Sequence, residues 1–124
     1  MRVALARWGN RISPLFDVAQ ETLVVEISRG RLISRRQVKL DDLGWPSRVE
    51  QLVHLGVRVL ICGGISNFLY HQVVARGIQV IPWVTGDVEE VLQAYLQGQL
   101  YQERFAMPGC RRWRHRHRGG RWGR

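Results

Sequence analysis

Cysteine is scarce in this chain of 124 residues, which has only Cys62 and Cys110. Two thiols do not build a disulfide framework, and so sparing a use fits a reducing cytoplasm. No run approaches the roughly 20 apolar residues needed to cross a bilayer, so no membrane partner is expected. The apolar stretch in "MRVALARWGN" is too short for a secretory signal. G-x-S-x-G, a Walker loop and H-E-x-x-H are all absent. Acidic residues are missing from "RRWRHRHRGGRWGR", residues 111–124, which holds seven arginines. Those arginines account for most of the net charge of +9 and leave the rest of the chain at +2. The sequence therefore divides into a near-neutral body, residues 1–107, and an Arg-rich tail, residues 108–124, expected to be disordered.

Hydrophobic patterning fills the body with regular elements. "VALA", Val3–Ala6, reads as a buried strand that breaks at "RWGNRISPLF", where Gly9, Asn10, Ser13 and Pro14 supply turn chemistry. "TLVVEIS", residues 22–28, and "RLISRRQVKL", residues 31–40, pair as a hairpin about Arg29-Gly30. The arginines of the second strand suit a sheet edge. Pro46 opens a helix striped by Val49, Leu52 and Val53 and stopped by Gly56. "VRVLIC", residues 57–62, has the β-branched run of a central parallel strand. A second helix is expected over about 66–76 and a strand over "IQVIPWV", residues 78–84. A third helix starts at the capping pair Asp87 and Glu90 and closes at Gly98. The element order predicts a single α/β domain with a mixed five-stranded sheet, a hairpin followed by βαβα units. The first strand and residues 57–62 become central neighbours. Their outgoing loops meet at a topological switch point, where open α/β sheets bind ligands.

The pieces "GNRISPLF", "ICGGIS", "ARGIQVI", "TGDVEEVLQAYLQGQL" and "MPGC", in this order and spacing, give a resemblance covering about residues 1–110. The chain resembles the dinitrogenase iron-molybdenum cofactor biosynthesis family, the NifX and NifB-tail type of domain that binds or carries metal-sulfur clusters. The resemblance implies a ribonuclease H-like three-layer sandwich. It also implies a non-catalytic role as a cluster carrier, with an iron-molybdenum-sulfur or related cluster as cargo and cofactor-assembly proteins as partners. Where the family often reads S-P-H-F-G, this chain has Leu15 for the histidine and Asp17 for the glycine. Leucine cannot ligate a metal, so any ligand has to come from elsewhere.

Several residues carry candidate chemistry. Gly63, Gly64, Ile65 and Ser66 precede a helix whose free N–H groups favour anions, and two glycines would let an anion approach the main chain. The same glycines also suit a tight strand-to-helix turn. Asn10 and Ser13 are expected to donate hydrogen bonds to a ligand from the facing loop. Cys62, just ahead of those amides, reads either as a thiolate favoured by the helix terminus or as a small buried hydrophobe. Cys110, His115 and His117 offer sulfur and imidazole donors for a metal. They are one ligand short of a closed zinc site, and the neighbouring arginines favour an anionic metal-sulfur species over a bare cation. Arginine interleaved with Trp113 and Trp122 suggests an alternative, a nucleic-acid-binding accessory acting through the tail. A two-metal nuclease is excluded by the lack of acids in Val3–Ala6 and Val57–Cys62, because that chemistry needs clustered carboxylates.

Overall fold

A computed structural model describes residues 1–100 and 105–107. The sheet is built on β1 (Arg2–Trp8), which lies between β3 (Glu21–Ser28), antiparallel, and β5 (Val57–Ile61), parallel. β4 (Arg31–Lys39) continues beyond β3, and β6 (Gln79–Ile81) continues beyond β5. The strand order β4-β3-β1-β5-β6 is the mixed five-stranded sheet expected from the sequence. A further two-residue strand, β2 (Arg11–Ile12), folds back on Arg7 and Trp8 inside the loop after β1.

Strand alternation sends side chains to two separate cores. Val3 and Leu5, with Leu23, Val25, Val59 and Ile61, pack under α3 (Val88–Leu96) through Val88, Val91 and Leu92. Ala4 and Ala6, with Val24, Leu60 and Val80, face α1 (Trp45–His54) and α2 (Asn67–Ala75) through Val49, Leu52, Leu69 and Val73. The result is a three-layer sandwich, with two helices on one face and one on the other.

Local chemistry sets the element ends. Arg29 and Gly30 both have positive φ, 54° and 76°, the backbone that turns a two-residue hairpin with the right twist. Asp87 caps α3, its carboxylate accepting the N–H groups of Glu89 at 3.0 Å and Glu90 at 3.2 Å. Pro82 ends β6 one residue after Ile81. β4 is the exposed edge, and its Arg35 reaches across the α3 face to Glu89. Among the described residues, no helix is long and apolar enough to cross a membrane.

Candidate functional site

β1 and β5 run parallel side by side, and their outgoing loops leave the same end in opposite directions, toward β3 and toward β6. The two loops meet there in direct backbone contact. The Gly64 N–H donates to the Pro14 carbonyl at 2.7 Å, and the Phe16 N–H donates to the Gly64 carbonyl at 2.7 Å. Leu15 and Gly64 form a one-residue parallel bridge.

This contact explains the glycine pair. A β-carbon on Gly63 would lie 2.4 Å from the Ser13 carbonyl oxygen and 2.9 Å from that of Pro14. On Gly64 it would lie 3.0 Å from the Pro14 oxygen and 3.2 Å from the Trp83 ring. The missing side chains make room for another stretch of peptide; neither glycine has a positive φ, so close approach rather than a special turn conformation is what calls for them. The Gly63 carbonyl is also engaged, by the Trp83 N–H at 2.8 Å.

The remaining candidates around this junction fall into place one by one. Ser13 is 5% exposed, and its Oγ donates to the Leu15 carbonyl at 3.4 Å. Asn10 is exposed, and its carbonyl accepts the Val88 N–H at 2.8 Å, tying the loop to the start of α3. Ile65 is buried against the α1–α2 core. Ser66 caps α2, its Oγ accepting the Leu69 N–H at 3.2 Å. The Ser66 N–H, just ahead of α2, donates to Asp17 Oδ1 at 2.8 Å. Asp17 stands where the resembled family often has glycine, so the chain brings its own carboxylate to this position.

Cys62 is fully buried among the residues facing α1 and α2. Burial pushes its thiol well above the ordinary value, and the Asp17 carboxylate adds to the rise. Of the two readings open for Cys62, the thiolate favoured by a helix terminus does not fit this burial. The side chain points into the core, where a thiolate would lose its hydration, and the small-hydrophobe alternative describes its packing. Cys110, His115 and His117 lie outside the described residues. Among the described residues, no group of three or more His, Cys, Asp or Glu side chains could hold a metal ion.

Other residues at this end had no place in the sequence reading. Arg48, in the first turns of α1, is 7% exposed; its guanidinium donates to the Ala19 carbonyl and lies 5.5 Å from the centre of the Phe16 ring. Burial lowers its pKa, while Asp41, Asp17 and Asp42, all nearby, oppose that change. Trp45 and Phe68, from the starts of α1 and α2, meet edge to face at 4.9 Å and stay 41% and 53% exposed. Trp83 holds a positive φ of 65°, and its carbonyl accepts the Met107 N–H at 3.0 Å. A β-branched run or a capping motif shows in sequence, but a contact between residues 45 and 68 leaves no local trace there.

Comparison with known proteins agrees with this geometry. An uncharacterized protein of Methanocaldococcus jannaschii is 26% identical over 106 residues, covering 81% of this chain and 89% of its own. The apo form of the orange protein from Desulfovibrio gigas has the same fold, with a TM-score of 0.66 at 23% identity, covering 79% of this chain and 88% of that one. The crystal structure of the protein PH0822 superposes with a TM-score of 0.74 at 20% identity, covering 81% and 93%. The family described as dinitrogenase iron-molybdenum cofactor matches residues 1–98, from β1 through α3, and the chain belongs to that family.

Proposed function

We propose that the protein binds and carries an anionic metal-sulfur cluster, an iron-molybdenum-sulfur species or a relative of it, without transforming it. The observation that carries this reading is the junction of the Asn10–Asp17 loop with the Cys62–Ser66 corner at the switch point of a fold shared by the iron-molybdenum cofactor family. The cargo rests on the outer side of that junction, near Asn10, Leu15 and Ser66, because the inner side is filled by peptide. Soft sulfide surfaces tolerate an apolar neighbour such as Leu15. Cys62 is too buried to serve as a ligand, which leaves Cys110, His115 and His117 as the metal donors.

Charge sharpens this assignment. The carboxylates at this end, Asp17, Asp41 and Asp42, have the wrong sign for an anionic cargo. The positive field has to come from the seven arginines of residues 111–124. Those arginines also support the nucleic-acid alternative, which requires affinity that falls steeply with salt and vanishes when they are replaced.

Elemental analysis of full-length protein purified without oxygen tests the reading. Iron or molybdenum together with sulfide, in fixed ratio to protein, supports it. Protein that carries none, and takes up none on reconstitution, overturns it.

A further inference from the structure

Leu43, Trp45 and Phe68 stand exposed at the end of the sheet where the loops meet, at 78%, 41% and 53% of their accessible surface. They adjoin the turn Phe16–Val18, whose Val18 is 67% exposed, because Arg48 in α1 holds the Ala19 carbonyl and Asp17 holds the first amide before α2. Large apolar side chains gathered this way mark a surface that something covers. Asp41 and Asp42 border it, lining a recess with Gln20, Lys39 and Leu40. Lys39 lines the same recess and has Glu21 as its cross-strand partner, so the two carboxylates there outnumber its single ammonium. Arg48 is buried beneath. The rim is therefore aromatic and acidic.

The chain carries a segment of complementary chemistry that starts at this same end. Ala106 pairs with Val84, and Met107 is bonded to Trp83, whose ring lies against Gly64. The seventeen residues 108–124 follow. At about 3.3 Å per residue they can reach roughly 56 Å, several times the ~13 Å radius of gyration of a 100-residue domain. They contain seven arginines, two tryptophans and no acid. Arginine stacks on Trp and Phe rings and pairs with carboxylates, so one residue type satisfies both halves of the rim.

We infer that the Arg-rich segment 111–124 docks on the rim formed by Asp41, Asp42, Leu43, Trp45 and Phe68 of its own chain. Tethering makes the contact intramolecular, with an effective concentration in the millimolar range for a linker of this kind. Docking covers the aromatic pair and turns an acidic surface into one of mixed or positive charge. The inference stands on the rim and the tail, independently of the cargo.

The test uses the full chain with Cys110→Ser and Gly119→Cys, a nitroxide on residue 119, and amide intensities read by NMR. Cys62 is fully buried and stays unlabelled. The amides of Asp42, Leu43, Trp45 and Phe68 lose at least about twofold in intensity at low salt, where the Debye length is roughly 30 Å, and recover in 1 M salt, where it is about 3 Å. Asp42→Asn combined with Trp45→Ala relieves the loss at the remaining rim amides. Rim amides that are unaffected, or affected equally at both salt concentrations, overturn the inference. So does an equal loss when nitroxide-bearing chains without isotope are mixed with isotope-labelled chains lacking the nitroxide, because the tail would then be docking on a second copy.

Discussion

The Ser66 N–H donates to the Asp17 carboxylate at 2.8 Å, so the amide that opens the way into α2 is held by an anion from the chain itself. Asp17 sits in the turn that follows Leu15, and this bond couples the loop after β1 to the helix after β5. Asp17→Ala should destabilise the fold by about 1 kcal/mol, the usual worth of a charge-assisted bond at a helix N-terminus. Asp17→Asn keeps an acceptor oxygen and should lose less. Urea unfolding of the three proteins checks the order.

Gly63 and Gly64 should respond unequally to alanine. On Gly63 the added methyl group meets backbone oxygen at 2.4 Å, and backbone cannot swing aside. Gly63→Ala should cost roughly 1–3 kcal/mol, as overpacking does, and should loosen the Pro14–Gly64 hydrogen bond. Gly64→Ala meets the Pro14 oxygen at 3.0 Å and the Trp83 ring at 3.2 Å, where a small shift suffices, so its cost should be smaller. Amide exchange at Gly64 and Phe16, with unfolding midpoints, distinguishes the two variants.

Arg48→Met keeps the buried stem but leaves the Ala19 carbonyl without its donor. A loss of about 2 kcal/mol is expected for a buried bond to a charged group. The effect should be centred on residues 16–19, because the same guanidinium also lies over the Phe16 ring. Chemical-shift changes confined to that turn, together with a lower unfolding midpoint, would agree.

Three surface carboxylates set the acid side of the stability profile. Hydrogen bonds from the N-terminal ammonium and then Arg2 lower the Glu26 carboxyl below its ordinary 4.5. Arg76 does the same for Glu50, and Arg35 for Glu89. A carboxyl depressed on folding adds stability that is fully present above its unfolded pKa and is lost as pH falls through the folded one. These groups should therefore leave stability flat from pH 7 to about 5 and lower it below about 4.5. Each pair is exposed, so each effect is small and shrinks with salt. A pH series of thermal midpoints for the protein and its Glu26→Gln, Glu50→Gln, Glu89→Gln triple variant should converge in acid.

Much of the fold was legible because burial leaves a periodic mark. The hairpin pair Thr22–Ser28 and Arg31–Leu40 about Arg29-Gly30 and the β-branched run at Val57–Cys62 placed the sheet, and Asp87 marked the start of α3 by a local bond. β2 was missed because a two-residue strand inside a turn has no period to read. The site was less legible. Gly63 and Gly64 showed that a side chain was forbidden but not what occupied the space, and the backbone of Ser13 and Pro14, distant in sequence, does. Cys62 showed a thiol near a helix start, but its direction depends on which face of β5 it extends, and that face is the core. The pairing of Trp45 with Phe68 and the bond from Asp17 to Ser66 are tertiary events with no local signature. The tail residues Cys110, His115 and His117 lie outside the described structure.

On the function proposed, negative metal-sulfur cargo rests on the outer side of the joined loops, with donors from beyond Met107. Native mass spectrometry of the full chain, purified without oxygen and offered tetrathiomolybdate with ferrous iron, tests it most directly. A bound molybdenum-sulfur species that survives Cys62→Ala and is lost when Cys110, His115 and His117 are replaced together is the expected result. A chain that binds no molybdenum, iron or sulfide, or binds them equally after that triple replacement, would contradict it.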